Sequence, residues 1–152
     1  MQDLSLHILD LVENSLRAGA KLIGISVFED MEQDLLTVEI RDDGKGMDPQ
    51  TCSQAADAFF TTKPRRRVGL GLALLAMAAK QAGGGLHISS LPGVGTTVRA
   101  TFRLSHPDCK PLGDMSATLE TLVAANPEVD FIYEHRRGAE VARLDTRKVR
   151  QS

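Results

Sequence analysis

In "TTVRATFRL", residues 96–104, Val98, Ala100, Phe102 and Leu104 alternate with Thr97, Arg99, Thr101 and Arg103. Alternation with period two describes a strand that buries one face and wets the other. A sheet wet on one side carries its helices on the other, so the chain should be an α+β protein built as a two-layer α/β sandwich. Other segments supply the layers. "IGISVFE" and "LLTVEIR" repeat the period and are split by the polar "DMEQD", which predicts an antiparallel pair. "LHISS" joins "TTVRATFRL" through "LPGVG" as another hairpin.

Helices are expected over residues 3–18, closed by Gly19, then near 50–58, and over 71–81, stopped by Gly83, Gly84 and Gly85. "FFTTKPRRRVG" breaks every periodicity and reads as a loop, because Pro64 and three successive arginines cannot bury a face. Beyond residue 104 come "MSATLETLVAANP", a helix ended by Pro127, and the hairpin-like "VDFIYEHRRGAEVARLD". A chain of 152 residues fills one core and is too short for two ordinary domains. The expected division is therefore a core over 1–104 and an extension over 105–152 packed on the same domain.

A net charge of −2 with 42% apolar residues gives no overall pull toward nucleic acid or an anionic membrane, so any polyanion must be held by a local site. No run approaches the roughly 20 apolar residues of a membrane helix, and "MQDLSLHILDLV" lacks the basic start of a signal peptide, which predicts a cytoplasmic protein. Cys52 and Cys109 have no CxxC spacing and read as isolated thiols. The four histidines form no zinc pattern, and His7 reads as structural.

Three stretches carry chemistry. In "TVEIRDDGKGM" strand parity sends Asp42 to the buried side with Val38 and Ile40, where a carboxylate is costly unless something donates to it. An adenine 6-amino group would do so; capping of the "DDGKG" turn is the other reading. Gly44 and Gly46 permit a tight turn and close approach to a flat ligand. "VGLGLAL" sets Gly69 and Gly71 where a loop enters a helix, so free N–H groups can face phosphate oxygens; a close helix contact is the alternative. The stretch is neither a Walker loop nor a Rossmann fingerprint. In "DLVENSLRAGA" the helical spacing puts Asp10, Asn14 and Arg17 on one stripe. Asn14 offers a carbonyl oxygen suited to Mg²⁺, and Asp10 could orient or deprotonate an attacking water or hydroxyl, whereas a solvated stripe carries no function.

"DLVENSLRAGA", "DDGKGM", "FFTTK", "GLGLAL" and "GVGTTV" stand in the order found in the GHKL superfamily, and the chain resembles it over roughly residues 4–104. The first segment is most similar to mismatch-repair ATPases, and "FFTTK" with "GLGLAL" to nitrogen-sensor histidine kinases. The resemblance implies the Bergerat fold, with helices on one face of a mixed, mostly antiparallel sheet, and ATP with Mg²⁺ as cofactors. It makes Asn14 the Mg²⁺ ligand, Asp42 the adenine carboxylate and Thr96 a water-mediated adenine contact. Gly44 and Gly46 would line the adenine pocket and Gly69 and Gly71 the phosphates, with Met47, Phe60, Thr62, Leu70 and Leu72 completing the nucleotide-binding set. The stretch from Phe59 to Lys63 would begin a lid, and Lys63 would touch phosphate. Arg65, Arg66 and Arg67 read as a solvated loop or as phosphate sensors.

One departure matters. ATPases of this superfamily usually carry Glu where this chain has Asp10. Losing a methylene withdraws the carboxylate, and a misplacement of about 1 Å can cost on the order of 100-fold in rate. Slow hydrolysis and an in-line role shared with Glu13 are both open, and binding need not suffer.

With no dimerisation, sensor or receiver segment before the first helix, the resemblance implies a stand-alone regulator. It would phosphorylate a separate protein partner or switch it through ATP, as small anti-sigma-factor kinases do. An ATP-gated conformational or dimerising ATPase without kinase activity is the alternative, and a domain cut from a histidine kinase a third. The tail is similar to that of short GHKL proteins associated with iron hydrogenases in anaerobes.

Overall fold

A computed structural model describes residues 4–46, 67–107, 109 and 112–147, with side chains described outside 67–73. The helix expected near 50–58, together with Met47, Phe60, Thr62, Lys63, Arg65 and Arg66, lies outside the described residues.

Helix α1 (Leu4–Arg17) buries Leu4, Ile8, Leu11, Val12 and Ser15, the spacing of one helical face. It ends in a Schellman turn: Ala20 N donates to Ser15 O at 3.1 Å and Gly19 N to Leu16 O at 3.0 Å. The turn needs a left-handed residue, and Gly19 has φ +78°. Strands β1 (Leu22–Asp30) and β2 (Leu35–Asp42) follow, antiparallel, with Ile25 opposite Ile40 and Val27 opposite Val38.

Helix α2 spans Arg67–Gln81, so it begins four residues before the expected Gly71. Arg, Val and Leu all tolerate a helix, and one turn of "RVGL" extends it into the stretch read as loop. The hairpin of β3 (Gly85–Leu91) and β4 (Gly95–Arg103) comes next, then α3 (Met115–Ala125), β5 (Asp130–Arg137) and β6 (Glu140–Asp145). Asp114 caps α3 by accepting from Ala117 N at 3.0 Å. Asn126 closes it with its side chain on Leu122 O at 2.9 Å, one residue before Pro127.

The six strands form one sheet in the order β3-β4-β2-β1-β5-β6. Every neighbouring pair is antiparallel except β1 and β5, which run parallel, so the sheet is mixed and mostly antiparallel. One face carries Ile23, Ile25, Val27, Leu36, Val38, Ile40, Val98, Ala100, Phe102, Phe131 and Tyr133, all buried in a single core with α1, α2 and α3. The tail is tied to the first helix as well, since Ser5 N donates to Leu112 O at 2.8 Å. The opposite face is polar: Glu39 takes Arg99 at 3.1 Å and Arg41 at 3.3 Å. A shallow concavity of about 420 Å³ there is lined by Ser26, Phe28, Thr37, Glu39, Arg99 and Glu134. No helix among the described residues is long and apolar enough to cross a membrane.

Candidate functional site

The core face of β2 runs Leu36, Val38, Ile40 and then Asp42, which is half-buried where the apolar rows give way to a polar rim. Its carboxylate has two donors. Ser15 Oγ donates to Oδ2 at 2.6 Å, and Gly44 N donates to Oδ1 at 2.9 Å. The second bond is the turn-capping contact foreseen for "DDGKG", and the first comes from the buried stripe of α1. Asp42 lies opposite Thr96 in the β2–β4 register, and Thr96 opposite Ser90 in β3–β4. Thr96 Oγ1 and Ser90 Oγ are 2.8 Å apart. Asp42, Ser90, Leu91, Val94 and Thr96 line an open cavity of about 150 Å³.

The turn after β2 is wedged between α1 and the β3–β4 hairpin. Lys45 N donates to Ala18 O at 2.9 Å, and Gly93 N donates to Lys45 O at 2.7 Å. A Cβ on Gly44 would stand 2.9 Å from Ala18 Cβ, and one on Gly46 only 2.1 Å from Leu91 O. Glycine at these two positions therefore reflects packing, and at Gly46 also a left-handed backbone, φ +72°. Asp43 anchors the same turn, its Oδ1 accepting from Lys21 N at 2.8 Å and Leu22 N at 3.0 Å.

On α1, Asp10 is exposed and Asn14 half-buried, while His7, one turn before Asp10, is buried. Asn14 Oδ1 accepts from Arg17 Nη1 at 3.0 Å. Two of the three stripe residues thus touch. Arg17 takes one lone pair of the Asn14 oxygen and leaves one for a cation. Mg²⁺ is commonly held by one or two protein oxygens, with water and phosphate supplying the rest, so this donor fits it.

Gly69, Leu70, Gly71 and Leu72 lie on the backbone of α2, Gly69 in its first turn. First-turn N–H groups are the ones free for an anion, so the correction to the helix start favours Gly69 over Gly71.

Of the expected site residues, Asp42 and Thr96 line one cavity. Gly44 is bound to Asp42 through its N–H and Gly46 packs against Leu91, while Asn14 precedes Ser15, which touches Asp42. Sequence reasoning missed Ser15, Asp43 and Ser90. A signal existed for two of them. Ser15 falls on the buried stripe of α1, where a hydroxyl needs an acceptor, and Ser90 follows Leu86 and Ile88 on the core face of β3.

A carboxylate and a glycine turn thus stand at the rim of a two-layer sandwich with helices on one face of a mixed sheet. The signature of the family described as histidine kinase-, DNA gyrase B-, and HSP90-like ATPase matches residues 2–106. The chain belongs to that family. A protein of Shewanella frigidimarina described as a sensor protein is 31% identical over 109 residues, covering 70% of this chain and 17% of its own length. Sensor protein kinase FleS of Pseudomonas aeruginosa is 38% identical over 56 residues, 37% of this chain and 14% of that protein. The chain thus spans less than a fifth of these relatives. Among solved structures, the MutL ATPase domain of Aquifex aeolicus complexed with ADP superposes with a TM-score of 0.51 at 18% identity, covering 84% of this chain and 57% of that one. The N-terminal domain of a DNA repair protein superposes with a TM-score of 0.57 at 18% identity, covering 95% of this chain and 53% of that one. These two likenesses concern the fold.

Proposed function

We propose that the chain is a Mg-ATP-dependent regulatory domain of the cytoplasm that phosphorylates, or switches through ATP, a separate protein. The observation that carries the reading is Asp42, a half-buried carboxylate held by two donors and lining a cavity with Thr96. An ionised carboxylate only accepts and an adenine amino group donates, so the two are complementary. The apolar side chains of Leu91 and Val94, both exposed beside the cavity, offer a wall for the flat base.

Asn14 would hold Mg²⁺, which when bound neutralises charge on the phosphates. Gly69, with Gly71 and the Leu70 and Leu72 positions, would give the phosphates the start of α2. Asp10 would orient or deprotonate the attacking hydroxyl or water. Its exposure and its short side chain support a second reading, an ATP-gated conformational ATPase that binds well and turns over slowly. Sensor kinases among the relatives favour the first.

Incubation with γ-labelled Mg-ATP, alone and with source-cell lysate, separates the two. Label moving to a lysate protein with the wild type and not with Asp42→Asn supports phosphotransfer. Free phosphate alone supports the gated ATPase, and failure to bind ATP contradicts both.

A further inference from the structure

Ser90 has no part in the reading above, yet it completes the same row. Register aligns Ser90 with Thr96 and Thr96 with Asp42 across β3, β4 and β2, and all three line one cavity. Ser90 Oγ lies 3.1 Å from Gly95 O and 2.8 Å from Thr96 Oγ1. A carbonyl only accepts, so the contact with Gly95 consumes the single Ser90 proton. Both contacts then exist together only when Thr96 is the donor of the second. Thr96 Oγ1 keeps lone pairs for a ligand and has no proton to give. The same holds along the rest of the row, because the Ser15 proton and the Gly44 N–H are spent on Asp42.

We infer that Ser90 is a positioning residue for base selection: by engaging the Thr96 proton it makes the Ser90–Thr96–Asp42 row an acceptor-only edge. That edge takes a purine bearing a 6-amino group and opposes one bearing a 6-oxo group. Asp42 rejects the carbonyl through its charge, and Ser90 engages the Thr96 hydroxyl, which could otherwise turn to satisfy it. This inference rests on the nucleotide reading of the Asp42 cavity.

The test compares Mg-ATP with Mg-ITP, in which a 6-oxo group replaces the amino group, by calorimetric titration of the wild type, Ser90→Ala and Ser90→Thr. Wild type is expected to prefer ATP. Ser90→Ala should narrow the ATP-to-ITP affinity ratio by about tenfold, the worth of one hydrogen bond, while Ser90→Thr keeps it. A purely structural role would weaken both nucleotides equally, and an unchanged ratio in Ser90→Ala overturns the inference. Should that variant fail to fold, Ser90→Cys, with similar volume and only a weak donor, is expected to narrow the ratio in the same direction, and an unchanged ratio there overturns it equally. Absence of either nucleotide from the wild type overturns the reading of the cavity itself, and this inference with it.

Discussion

Ser15 Oγ donates to Asp42 Oδ2 at 2.6 Å, joining α1 to the end of β2 across 27 residues. Hydrogen bonds to a charged acceptor are among the stronger ones, and this one also fixes the carboxylate's rotamer at the cavity. Ser15→Ala should destabilise the domain by about 1.5–3 kcal/mol and weaken Mg-ATP binding by about tenfold. Chemical unfolding and calorimetric titration read the two effects. Unaltered affinity would mean that the Ser15 contact serves folding alone.

Gly46 faces a different constraint. An added Cβ would meet Leu91 O at 2.1 Å, and the backbone at φ +72° is left-handed. Gly46→Ala must push the turn off the β3–β4 hairpin. It should cost more than about 1 kcal/mol of stability and reduce nucleotide affinity further than that loss explains. An alanine variant with wild-type melting temperature and affinity would contradict the packing described.

Asp34 clamps the two hairpins together, accepting from Ser105 N at 2.9 Å and from Ser105 Oγ at 2.5 Å. The Ser105 hydroxyl holds the carboxyl below its ordinary value of 3.8; desolvation opposes it, and the Ser105 N–H and Arg103 add to the lowering. A folded-state value below the unfolded one adds stability above pH 3.8 that fades as the pH falls through the folded value. Asp34→Asn keeps the left-handed backbone, φ 55°, which asparagine tolerates. The wild type should be the more stable at pH 7, and the gap should close on acidification. Urea unfolding of both proteins across that range is the check; a constant gap would contradict the clamp.

Cys109 should be a slow thiol. Burial first, then the carboxylates of Asp34 and Glu29, push its pKa up, so less thiolate is present at neutral pH. Alkylation by iodoacetamide at pH 7.5, followed by mass spectrometry on the peptide holding Cys109, should run several-fold slower than for a free cysteine peptide. An equal rate would contradict the placement of those groups around it.

Local periodicity made much of this architecture readable. Period two located β1, β2, β3 and β4, and parity alone sent Asp42 to the core side of β2. Long-range pairing was not readable in that way. The parallel union of β1 with β5 and the contact of His135 Nε2 with Glu29 Oε2 at 2.7 Å, across 106 residues, depend on which strand docks at which edge. Ser15 shows a subtler failure. The eye follows the polar line of Asp10, Asn14 and Arg17, while the hydroxyl that reaches Asp42 sits on the apolar stripe beside it. At α2, charge misled the reading: Arg67 looked like loop, although arginine is a good helix former.

Whether the Asp42 cavity receives an adenine amino group is read by calorimetric titration of Mg-ATP into the wild type and Asp42→Asn. Asparagine keeps the shape, removes the charge and replaces one acceptor with a donor. Saturable one-site binding by the wild type is expected, with loss of at least about 100-fold in affinity in a variant that still folds. Equal affinity in the two proteins would contradict it.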